Sequence, residues 1–159
     1  CPPYVGLSNV KAALERVDQV MEMLKIKPCA PARTTTDETR HDAGLAVQRA
    51  IFGAENIDKM NDSAPADQKH INDYLSANCF GDYYTRKVLD LKERELITFT
   101  AIVTLGGCEP QAKAHAAANI SVGNSRQDLL DALTIALPYI GYPRTLNVLG
   151  CVNAVAPSK

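Results

Sequence analysis

The chain has 159 residues, 46% hydrophobic and 22% charged, with a formal net charge of -1; this is the size and balance of one domain with a substantial core, and it argues against disorder. Lys and Arg form no cluster on any segment, so no nucleic-acid partner is expected. No apolar run approaches the ~20 residues of a membrane span and no signal-peptide pattern opens the chain, so no membrane partner is expected either.

Helical periodicity dominates and no convincing alternation of apolar and polar residues occurs, which predicts an all-α fold. In "SNVKAALERVDQVMEMLKI", Val10, Leu14, Val17, Met21 and Leu24 fall at spacings of three and four and make one apolar stripe. "KPCAPARTTT" reads as a linker. "DETRHDAGLAVQRAIFG" is helical and stops at Gly53. "APADQKHINDYLSANCFG" follows the same logic, with Pro65 expected in its first turn and Gly81 at its end.

"LDLKERELITFTAIVTLGG" has the strongest helix signal: Asp90 and Glu93 fit a capping box, and the later half is apolar enough to be nearly buried. It stops at Gly106 and Gly107. "CEPQAKAHAAANISVG" follows, with Glu109 and Pro110 in the first turn, alanines that permit close helix packing, and Gly123 as terminator. "NSRQDLLDALTIALPYIGYP" opens on Ser125 and Asp128, an imperfect capping box, and meets Pro138 in mid-pattern. "PRTLNVLGCVNAV" closes the chain with Pro143 at a helix start.

An internal echo crosses this order. Residues 3–20, "PYVGLSNVKAALERVDQV", lie without gaps on residues 138–155, "PYIGYPRTLNVLGCVNAV". Pro3, Tyr4, Gly6, Leu14, Val17 and Val20 match Pro138, Tyr139, Gly141, Leu149, Val152 and Val155. Two amphipathic helices can match by chance, but Pro-Tyr-x-Gly is not a periodicity feature. Residues 1–27 are therefore expected to be the closing helix of a preceding repeat, residues 28–38 a linker and residues 39–159 the domain proper. A start at Cys1, in mid-pattern and without Met, fits the same expectation.

The five cysteines are odd in number, widely spaced and free of any C-x-x-C, so neither a disulfide framework nor a zinc site is expected. A reducing cytoplasm is the expected compartment, and no metal or cofactor is implied. Cys108 alone has a physical reason to be reactive: it precedes a helix start, where unpaired backbone N–H groups and the helix dipole favour a thiolate. His115 lies two turns on, ~10 Å along the axis, too far for direct contact. Gln111 sits between them as a natural intermediary. Glu95 could return alongside His115 if the two helices form a hairpin across Gly106-Gly107. Cys108, His115 and Glu95 would then be nucleophile, proton shuttle and orienter. The bland alternative is a buried thiol near a satisfied histidine. Cys29, Cys79 and Cys151 read as structural, and His41 and His70 as polar-face residues. "FGDYYTRKVLDLKEREL", with Tyr84 and Arg86, is either a tight interhelix loop or a pocket wall.

Residues 80–155 resemble the carboxymuconolactone decarboxylase family, within the AhpD-like superfamily. The features that carry the resemblance are F-G-D-x-Y-x-R, L-D-L-K-x-R-E-L-I-T, L-G-G, the helix with His115 and the P-Y-x-G-x-P-x-x-L-N close. The opening helices look similar too, extending the likeness to about residue 40, and tandem copies occur in this family. The resemblance implies an AhpD-like helical bundle, a small-molecule substrate, and trimers or hexamers with the pocket near subunit contacts, or pseudo-symmetric pairing with a preceding repeat.

The family's hydroperoxidase branch uses C-x-x-C, a following His and an upstream Glu. Cys108 falls on its first cysteine, His115 on the histidine and Glu95 near the glutamate, but Gln111 stands where the second cysteine belongs. A dithiol cycle cannot run within one such loop, which leaves a one-cysteine, peroxiredoxin-type route through a sulfenic acid. The alternative is decarboxylation of a carboxylated lactone, for which Arg86, Arg94, Lys113, Arg126 and Arg144 are candidate cationic contacts. Tyr84, Arg86, Gln111 and Tyr139 are the expected binding residues. A non-catalytic helical assembly module is the reading from a different class.

Overall fold

A computed structural model describes Tyr4, residues 6–26 and residues 32–158. Cys1, Pro3, Cys29 and the first part of the expected linker lie outside the described residues; of its remainder, residues 32–36 have no regular structure and residues 37–38 lie in a turn. The described elements are α1 (Leu7–Met23), α2 (Arg40–Phe52), α3 (Ala54–Asp62), α4 (Lys69–Tyr74), a π-helical segment (Leu75–Tyr84) that continues α4, α5 (Leu91–Leu105), α6 (Glu109–Ser121) and α7 (Arg126–Val155). No strand occurs among the described residues, and the fold is an all-α bundle.

Local chemistry sets the helix starts. Asp90 accepts from the Glu93 N–H at 2.9 Å while Glu93 accepts from the Asp90 N–H at 2.9 Å, closing a full capping box on α5. Ser125 and Asp128 close a second one on α7, at 3.1 and 2.7 Å. The box that looked imperfect in sequence forms because the shorter Asp carboxylate still reaches the Ser125 N–H. Such caps contribute about 1 kcal/mol each.

Two expectations about the middle of the chain are corrected. Pro65 precedes its helix, in a turn closed by the Gln68 N–H to the Pro65 carbonyl at 2.9 Å. Gly81 does not terminate a helix; it lies within the π-helical segment. Its role is close approach: a Cβ there would come within 2.0 Å of the Arg40 carbonyl oxygen, and one at Gly44 within 1.9 Å of the Ser76 carbonyl oxygen. Two glycines therefore let α2 lie directly on the π-helical backbone.

Helices α5, α6 and α7 build one core around Phe99, Ile102, Val103, Ala112, Ala116, Leu129, Leu133, Val148 and Val152. Burying a side chain such as Phe99 or Leu129, each fully enclosed, contributes roughly 1.5–3 kcal/mol. A second cluster, Ile51, Cys79, Phe80, Tyr84 and Ala118, joins α2, the π-helical segment and the end of α6. Helix α7 is two helices merged across a break at Gly141, whose φ of 75° and ψ of 167° suit glycine almost alone. Pro138 sits in the turn ahead of that break and Pro143 in the turn after it. Helix α1 has no buried residue.

Candidate functional site

Helix α6 begins where sequence places it, after Gly106 at φ 73° and Gly107 at φ 68°, with Cys108 as its N-cap. The thiol makes no capping bond. It donates back to the Gly106 carbonyl at 3.4 Å and is half-buried. Beside it lies a 10 Å³ crevice lined in part by Ile102, Val103, Arg144 and Val148, room for about one water at most. The buried face of α6 runs through Ala112, His115, Ala116 and Asn119. Gln111 stands outside it, exposed, so the expected bridge from Cys108 to His115 through Gln111 is not formed. The structure brings Glu95 and His115 together and leaves Cys108 apart.

His115 Nδ1 lies 2.8 Å from Glu95 Oε2, and the Glu95 carboxyl is fully buried. The hairpin across Gly106-Gly107 is what returns α5 to α6 at this level. The other carboxyl oxygen, Oε1, accepts from the Tyr84 hydroxyl at 2.8 Å, and Tyr84 also bonds the Thr98 hydroxyl. A carboxylate only accepts, so its bond to His115 requires a proton on Nδ1. That fixes the tautomer and leaves Nε2 with the lone pair.

Asn119 locks the pair from behind. Its amide donates to the Glu95 carbonyl at 3.0 Å and the His115 carbonyl at 2.7 Å, while its oxygen accepts from Asn124 at 2.7 Å. The His115 ring meets the edges of Phe52 and Tyr4, with centroids 5.4 and 6.0 Å away. Tyr4 is the group sequence reading missed. Its hydroxyl lies 3.0 Å from Cys79 Sγ and 3.5 Å from the Tyr84 hydroxyl. Only its place in Pro-Tyr-x-Gly marked it, and nothing in that motif says where it docks. Cys79, read as structural, thus sits beside the site.

Burial dominates the titration of these groups. It pushes the Cys79 thiol up to about 11, the nearby Glu95 carboxylate adding to the effect. It raises the Tyr4 and Tyr84 phenols as well, assisted by Cys79 for the first and by Tyr4 and Glu95 for the second. At neutral pH all three are protonated, hydrogen-bonding rather than nucleophilic.

A 220 Å³ pocket opens beside this network, lined by Tyr4, Cys79, Tyr84 and Thr98 on one side and by Tyr83, Arg86, Leu89, Arg94 and Ile97 on the other. "FGDYYTRKVLDLKEREL" is therefore both an interhelix connection and a pocket wall. Arg86 donates to the Asp82 carbonyl at 2.8 Å with its guanidinium over the Tyr83 ring. Arg94 donates to the Leu89 carbonyl at 3.1 Å and to the Arg86 carbonyl. These contacts, to carbonyls and a ring, orient both cations, and the Glu93 carboxylate lies near enough to act on the charge of Arg94. Tyr139, expected to bind substrate, is 85% exposed and is not among the residues that line this pocket. Among the described residues no His, Cys, Asp and Glu side chains group as a metal site.

The model of the carboxymuconolactone decarboxylase family matches residues 70–154, a little more than half the chain and the span that contains Glu95, His115 and Tyr84. No curated protein matches the chain.

Proposed function

From the premise that the chain belongs to the carboxymuconolactone decarboxylase family, we propose an enzyme acting on a small carboxylate-bearing molecule, with His115 as its acid/base. The observation that carries this reading is the His115–Glu95 contact of 2.8 Å behind Tyr4 and Tyr84, which line a pocket that also holds Arg86 and Arg94, neither of them in an ion pair among the described residues. The favoured reaction is decarboxylation of a carboxylated lactone such as γ-carboxymuconolactone.

In that reaction the carbon–carboxylate bond breaks, carbon dioxide leaves, and the bonding pair passes into the conjugated lactone, which takes a proton at carbon. The residues supply two things. Arg86 and Arg94 attract and orient the anion. The His115 ring, once protonated at Nε2, delivers the proton, while Glu95 holds its orientation and balances the charge the ring carries between cycles. No thiol takes part.

Peroxide reduction through Cys108 is the second reading. It is favoured by the placement of a half-exposed thiol at a helix N-cap and disfavoured by its separation from His115. One assay decides between them. The wild-type chain should release carbon dioxide from γ-carboxymuconolactone, with kcat/KM lowered by about 10²–10⁴ in His115→Ala and essentially unchanged in Cys108→Ser. Peroxide consumption with a dithiol, lost in Cys108→Ser, would install the second reading instead. Turnover of neither kind would leave the assembly reading.

A further inference from the structure

Two cavities share a wall at α5. The pocket beside the His115 network carries Arg86 and Arg94. A 730 Å³ groove runs between α1 and the face of α5 and α7, walled by Val10, Leu14, Val17, Leu96, Ile97 and Ile135. Ile97 lines both cavities and is 45% exposed. The groove has the size of small-molecule sites, roughly 300–1,000 Å³, which are mostly apolar with a few placed polar groups. Helix α1 buries no residue, so its apolar stripe borders this space without filling it.

The polar atoms along the groove are engaged locally. The Thr100 hydroxyl donates to the Leu96 carbonyl at 2.8 Å, and the Thr104 hydroxyl to the Ala101 carbonyl at 2.9 Å, both within α5. Asp128 and Asp131 also line the groove, the first accepting from the Ser125 N–H at 2.7 Å and the second from Gln127 at 2.8 Å. Their charge repels an anionic headgroup from the groove. Arg86 and Arg94, held by carbonyls and a ring, attract one into the adjoining pocket. The two cavities thus differ in sign as well as in polarity.

We propose that the joined cavities bind an amphiphilic carboxylate, one anionic headgroup on a long unbranched apolar tail. The headgroup lies at Arg86 and Arg94, and the tail passes over Ile97 into the groove between α1 and α5. Burial of the tail supplies affinity, and the arginines supply the sign and direction of binding. The proposal rests on the arginine pocket of the decarboxylase reading and extends it to a ligand class with a long apolar tail.

The test is isothermal titration calorimetry of the full chain with dodecanoate, octanoate and dodecyltrimethylammonium, each below its micelle-forming concentration. Dodecanoate should bind once per chain, octanoate about 10²-fold more weakly for its four missing methylenes, and the cation not measurably. Leu14→Asp and Ile135→Asp, at exposed positions on opposite walls of the groove, should each weaken dodecanoate by about tenfold or more with helical circular dichroism unchanged. Arg94→Gln should weaken it by about tenfold or more through the headgroup; if that variant loses helical circular dichroism, Arg86→Gln is read in its place. Equal binding of the cation, or indifference to tail length or to the wall variants, overturns the proposal. Absence of binding does so too, including the case in which Leu14→Asp instead dissociates an oligomer, which assigns the groove to a second copy of the chain. Carbon dioxide release from the lactone is read separately and does not depend on dodecanoate binding, so failure of the one reading is distinguishable from failure of the other.

Discussion

The start and the middle of α6 hold the two residues that drew attention in the sequence, and they differ in almost every physical respect. Cys108, at the start, is half-buried, bonds only a local carbonyl and adjoins a crevice too small for a ligand. His115, two turns on, is enclosed by α5, Phe52 and Tyr4, carries a buried carboxylate on Nδ1 and neighbours a pocket with two oriented arginines. Residue type and helix-start placement single out the cysteine; partners from other elements single out the histidine. A site is made by what converges on it, and here convergence occurs at His115.

The largest expected effect comes from removing the carboxylate of that network. Glu95→Ala leaves Tyr84 and His115 without their shared acceptor, and should cost about 3–5 kcal/mol in a denaturant titration. A loss under 1 kcal/mol would mean that the network is not organised around Glu95. Tyr84→Phe removes one donor and keeps the ring, for an expected cost of roughly 1–3 kcal/mol by the same measurement.

The third expectation sharpens the contrast by pH. Cys79 and Tyr84 ionise less readily folded than unfolded, so their contribution to stability is fully present below the unfolded-state values. It declines as pH rises through about 9 towards the folded value of about 11 for Cys79. Thermal melts should show the midpoint falling progressively above pH 9, and the fall should be shallower in Cys79→Ala. Cys79 alkylation should still be accelerating near pH 10. The smallest effect belongs to the start of the helix: Cys108→Ser should change stability by less than about 1 kcal/mol, because the thiol's polar contact to the Gly106 carbonyl is weak and a hydroxyl can replace it.

Much of the fold was legible because it is local. The capping pairs Asp90/Glu93 and Ser125/Asp128, the glycine stops at Gly53 and Gly106, and the turn that returns Glu95 to His115 all follow from short spacings. The rest depended on long-range placement. Gly81 reads as a terminator until α2 is seen lying across it. Asn119 and Asn124 lock the pair through bonds to carbonyls that carry no sequence signature. The Gln111 bridge fails because a helix face is buried only where another element covers it. Tyr4 reaches His115 from more than a hundred residues away in sequence, and no periodicity reports such a contact.

The central claim is that Glu95 fixes His115 with its proton on Nδ1 and keeps Nε2 free for chemistry. The most direct test is the nitrogen NMR spectrum of ring-labelled protein, with His115 assigned by its loss in His115→Gln. The account predicts that the neutral ring is the Nδ1–H tautomer, and that Glu95→Gln alters that nitrogen most. An Nε2–H tautomer, or a ring indifferent to Glu95→Gln, would contradict it.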